Sequence, residues 1–130
     1  MADSDLPREV RDLVIRQLHS MEEIEVLLLL EGEPAGLTVT EIRDRLRLPA
    51  SDLPLTSIAR LKANRLIAGD QSADTRYRFA VTSPEARRAI ELLRVAYNER
   101  PVTLVRLVYN RPSAAESFAD AFRIKRPDES

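Results

Sequence analysis

Apolar residues recur three and four positions apart over most of this chain, and capping residues mark where that period starts and stops. Val10, Leu13, Val14 and Leu18 form one helical stripe over residues 8–19. Ser20, with Glu23 three residues on, opens a second helix whose Ile24, Leu27 and Leu28 share a face and which Gly32 ends. Thr38 with Glu41 repeats the device for a third helix to residue 48, with Ile42 and Leu46 inward and Pro49 as its stop. Pro54 suits a first helical turn, so residues 55–65 are expected to form a fourth helix burying Leu55, Ile58, Leu61 and Leu66.

The period then changes to two. Leu66, Ile67 and Ala68 read as a short strand, residues 69–74 as a turn, and residues 76–81 as a second strand. Its alternation turns Tyr77, Phe79 and Val81 inward and Arg76 and Arg78 outward. Ser83, Pro84 and Glu85 start another helix to residue 98, and Pro101 permits a further one through the apolar stretch 102–109. Ser113 with Glu116 opens a last helix carrying Phe118 and Phe122. These signals divide the chain into a loose tail (1–6), an N-terminal helix (7–19), a unit of helices and hairpin (20–82), a helical extension (83–124) and a second tail (125–130). The fold class is mainly α with a small β-hairpin.

Composition narrows the possibilities. The 130 residues suit one domain, and 44% hydrophobic with 32% charged residues supply a core and a solvated surface. With no cysteine, disulfides, thiolate metal sites and cysteine nucleophiles drop out. The N-terminal residues lack a basic region before an apolar stretch, and the longest apolar run, 26–30, is far too short for a membrane span. A cytoplasmic protein with no membrane partner is expected. The net charge of −1 is unevenly spread: residues 1–50 carry 6 Arg against 11 acids, residues 51–82 carry 5 Lys and Arg against 3 acids, and the remainder 9 against 7.

The order helix, short extended piece, helix, turn, helix and hairpin over residues 20–81 is the winged helix-turn-helix topology. Within it, LTVTEIRDRL at 37–46 resembles the second helix of bacterial MarR-like transcription regulators, and IARLKANRLIA at 58–68 resembles their recognition helix running into the first wing strand. The segments 96–109 and 117–123 resemble a C-terminal extension shared by small uncharacterised bacterial proteins built on this wing. The resemblance implies double-stranded DNA as partner, with the fourth helix in the major groove. If Leu55, Ile58 and Leu61 face the core, Thr56, Ser57, Arg60, Lys62 and Asn64 are presented outward. Arg60 suits guanine and Asn64 adenine, Thr56 and Ser57 suit phosphate, and Arg76 and Arg78 would reach a minor groove or backbone from the wing. Asp52, Asp70 and Asp74 would repel phosphate, although Asp52 can cap a helix. The alternative is a module that docks protein and binds no DNA.

The helix from Pro84 carries two apolar stripes, and 102–109 is apolar around most of its circumference. Either the terminal helices cover each other in one chain, or two chains exchange them through Ile90, Leu93, Tyr97, Leu104, Leu107 and Val108. The regulators resembled here bind two half-sites as homodimers, which favours exchange. Catalytic chemistry is not expected. His19 stands alone at a helix end, Glu22, Glu23 and Glu25 suit the positive end of a helix dipole, and three glycines build no phosphate loop. No metal and no cofactor are expected.

Overall fold

Side chains that accept amide hydrogens begin three of the described helices where the sequence places them, at Ser20, Thr38 and Ser83. The computed structural model describes residues 6–70 and 74–110, so the helix expected from Ser113 and the tail 125–130 lie outside it. Helix α1 is Arg8–Gln17, with Leu18 as its C-cap. Helix α2 is Met21–Glu31, where the Ser20 hydroxyl accepts the Glu23 amide at 3.1 Å and the Glu23 carboxylate accepts the His19 amide at 2.9 Å. After the two-residue strand β1, Leu37–Thr38, helix α3 is Val39–Arg45, opened by a capping box in which Thr38 and Glu41 each accept the other's amide. Helix α4 is Leu55–Ala63, strand β2 Ile67–Gly69, strand β3 Arg76–Phe79, helix α5 Pro84–Glu99 and helix α6 Pro101–Tyr109.

Helix α3 stops three residues before the expected position, for a reason other than Pro49. The Leu48 amide bonds the Arg43 carbonyl and the Arg47 amide the Asp44 carbonyl, with Arg47 at φ 59°. This is a Schellman closure, in which a left-handed residue satisfies the last carbonyls. Helix α4 ends the same way, with Arg65 at φ 62° and the Leu66 amide on the Leu61 carbonyl.

The strands form one antiparallel sheet in the order β1-β3-β2. Leu37 pairs with Tyr77, and Ile67 with Phe79. The short extended piece is thus the sheet's third strand. Gly36, which leads into it, has φ 81°, and a Cβ there would lie 2.8 Å from Arg78 Cγ and 2.9 Å from the Tyr77 carbonyl oxygen. Only glycine fits this approach without displacement.

Helix α2 is the hub. Ile24, Val26, Leu27, Leu28 and Leu30 are buried around its circumference, as expected of a helix covered on all sides. Helix α4 packs against α2 and β2, while α1 packs against α5 and α6. Burial of each large aliphatic side chain contributes roughly 1.5–3 kcal/mol. Leu6, expected within the tail 1–6, is in the core.

One expectation about packing is corrected. Leu55 is 55% exposed, and α4 presents Ser57, Ile58 and Leu61 to the core instead. Ile90, Leu93, Leu104 and Val108 are buried within the single chain. Their cover is the N- and C-terminal helices themselves, with Tyr97 and Leu107 half-buried beside them.

Candidate nucleic-acid interface

The seven residues expected to touch DNA separate into two groups. Ser57, Arg60 and Asn64, three and four residues apart, share one face of α4 and form a polar seam with the junction of α1 and α2. The Ser57 hydroxyl donates to Glu22 Oε2 at 2.6 Å, and Asn64 Nδ2 donates to the Gln17 carbonyl at 3.1 Å. Arg60 Nη1 lies 3.4 Å from Glu23 Oε2, its side chain 52% exposed against 2% for the glutamate. Ser57 is buried, which corrects its assignment as a phosphate contact. Asn64 is half-buried and closes α4 as its C-cap, so its amide is committed inside the chain.

The other group faces solvent. Thr56 and Lys62 are exposed on α4, and the Lys62 ammonium sits 5.9 Å from the centre of the Tyr77 ring, on the side of the sheet. Arg78 is exposed on β3, its stem laid beside Gly36. Arg76 is held more firmly than expected of an outward residue. Its Nη1 donates to the Gly36 carbonyl at 3.2 Å and to Glu41 Oε1 at 3.3 Å, which ties β3 to the start of α3. Asp70 is exposed and accepts the Arg76 amide at 3.2 Å, so this acid closes the hairpin.

Cations therefore stand on both edges of α4, Arg60 toward α2 and Lys62 toward the hairpin. Between them the exposed positions are Leu55, Thr56, Ala59 and Ala63, with Leu53 exposed just ahead of the helix. Arg47 and Arg65 add exposed cations at the ends of α3 and α4. Sequence reasoning missed the seam and the apolar strip together, because it took Leu55 as the inward residue. A signal was present: Ser57, Arg60 and Asn64 form a polar row that two acids, Glu22 and Glu23, can neutralise.

Two further acids of α2 are also engaged. Tyr97 Oη donates to Glu25 Oε2 at 2.9 Å, and Arg94 bonds both Glu31 and the Leu28 carbonyl. Burial first, and the Glu25 carboxylate second, push the Tyr97 hydroxyl above the usual tyrosine range. Among the described residues every buried side-chain polar atom has a partner, and no helix is long and apolar enough to cross a membrane.

Comparison of the chain with protein-family models, with curated proteins and with solved structures finds no match.

Proposed function

We propose that this chain is a winged helix-turn-helix DNA-binding protein, a transcription regulator in which α4 enters the major groove and the β2–β3 hairpin is the wing. The observation that carries the reading is α4 itself. Among the described residues nothing covers its outer face, which is bordered by Arg60 and Lys62, the arrangement a groove walled by phosphates would accept. The sheet order supports it, because a short strand before α3 pairs with the hairpin and fixes the hairpin beside α4. Thr56, Arg60, Lys62 and Arg78 are the proposed contacts on α4 and the wing, and Arg76 acts as the brace that orients β3. Four acids of the negative first third, Glu22, Glu23, Glu25 and Glu31, are spent on internal bonds.

Selection from a random duplex library, with the mass of the eluted complex measured alongside, tests the proposal. Enriched duplexes whose affinity falls steeply with salt are expected. If no duplex is retained at low salt, DNA binding is overturned. Pairing of two chains, which a palindromic site asks for, would draw on the exposed Val95, Val102 and Tyr109 rather than on the buried apolar residues of α5 and α6.

A second reading, a protein-docking module, is favoured by Leu53 and Leu55, which expose large apolar side chains at the start of α4. It predicts that Leu55→Asp abolishes partner binding and that no duplex is selected.

A further inference from the structure

The side chains that read bases through paired hydrogen bonds are absent from the middle of the α4 face. Leu55, Thr56, Ala59 and Ala63 are its exposed positions, and at about 100° per residue they span roughly 100° of the helix circumference, opposite the buried Ile58 and Leu61. Arg60 and Lys62 lie roughly 70–90° to either side of the midline of that strip. The polar groups that could reach in from the seam are occupied: Asn64 by the Gln17 carbonyl, Ser57 by Glu22, and Arg60 in part by Glu23. What the strip presents is methyl and methylene groups with one hydroxyl.

In the major groove the unmodified bases display one apolar group, the C5-methyl of thymine. Short side chains also let the helix axis approach the groove floor. A helix is about 10–12 Å across and the groove about 12 Å wide, so cations on the two flanks meet the two phosphate walls. Resting on the DNA-binding reading above, we infer that α4 selects its site through thymine methyl groups packed against Leu55, Thr56, Ala59 and Ala63. Arg60 and Lys62 anchor the flanking backbone and carry little base preference. The half-site is accordingly rich in thymine on the groove floor, and sequence preference is set by apolar contact.

The test uses the full chain and duplexes selected from a random library, each synthesised once with thymidine and once with deoxyuridine. Deoxyuridine removes the methyl group and leaves the hydrogen-bonding edges unchanged. Affinity is expected to fall about fourfold for each contacted methyl, from the transfer of one buried carbon. The salt dependence is expected to stay the same, because no phosphate contact changes. In a Leu55→Ala chain, which loses only an exposed side chain, the thymidine-to-deoxyuridine ratio shrinks. A ratio of one in the parent overturns the inference and leaves DNA binding standing. An equal ratio in the parent and in Leu55→Ala assigns the effect to duplex shape and overturns it as well. Failure to select any duplex removes both readings together.

Discussion

Arg60→Ala separates what that side chain does for the fold from what it does for a ligand. In the folded chain its guanidinium is 3.4 Å from a carboxylate that is 2% exposed. Two unit charges at that distance attract by about 1 kcal/mol in a water-like medium and about 5 kcal/mol at an effective dielectric of 20. Because Arg60 is half in solvent, the lower end applies. Its removal leaves Glu23 Oε2 without this partner, while Oε1 keeps the His19 amide. The expected loss is about 1–2 kcal/mol, a sizeable part of a typical stability of about 5–15 kcal/mol. Urea unfolding should show an earlier midpoint with an unchanged slope. Adding Glu23→Gln to the Arg60→Ala chain neutralises the stranded charge and should restore at least half of the lost stability. The same double variant should recover none of the duplex affinity, and its salt slope should stay shallower than the parent's by about one. An Arg60→Ala chain as stable as the parent, or a double variant no more stable than the single, would refute the ion-pair account.

Four further outcomes follow from particular contacts. Arg65→Gly, and likewise Arg47→Gly, relieves a left-handed conformation that costs a side chain about 1–2 kcal/mol and should raise the thermal midpoint, with a net gain of about 0.5–1 kcal/mol after the added chain entropy. Ser57→Ala strands one oxygen of Glu22 and should cost about 1–2 kcal/mol of unfolding free energy, while duplex affinity measured on the folded fraction stays at the parental value. Leu104→Ala empties a fully buried position beneath α1 and α5 and should cost about 2–5 kcal/mol at a single cooperative transition; a separate low-temperature transition for α6 would contradict one shared core. Because the Tyr97 hydroxyl is raised in the fold, its stabilising contribution is complete below the ordinary tyrosine value of about 10 and declines as pH climbs through the raised one. Tyr97→Phe should therefore flatten the fall in stability above pH about 10, read from urea midpoints across that range.

Much of the fold was legible because local chemistry and tertiary packing agree. Ser20, Thr38 and Ser83 each accept an amide at the helix start they predict, and Tyr77, Phe79 and Val81 turn toward the core as their alternation requires. The misreadings have local causes. Periodicity treats leucine as inward, but a serine with an acid to bond can take the buried place, so Leu55 and Ser57 exchange roles and α4 is turned on its axis. The ends of α3 and α4 were obscured because the residue at each left-handed position is an arginine, where glycine is the usual sign. The pairing of β1 with β3 spans some forty residues, a distance no short window registers. For the candidate site, the exposure of Thr56, Lys62 and Arg78 was legible, whereas the seam holding Ser57, Arg60 and Asn64 depends on where α2 lies and so could not be seen along one strand of text.

The polar seam has a consequence for how this molecule could change. Helix α4 is fastened to α2 by Ser57 and Arg60 and to the end of α1 by Asn64, while Leu55, Thr56, Ala59 and Ala63 fasten nothing in the described structure. Attachment and reading are thus written on different letters of one helix. A library randomised at those four outer positions would keep its mounting, so a new specificity could be acquired by drift or by design without refolding the protein that carries it.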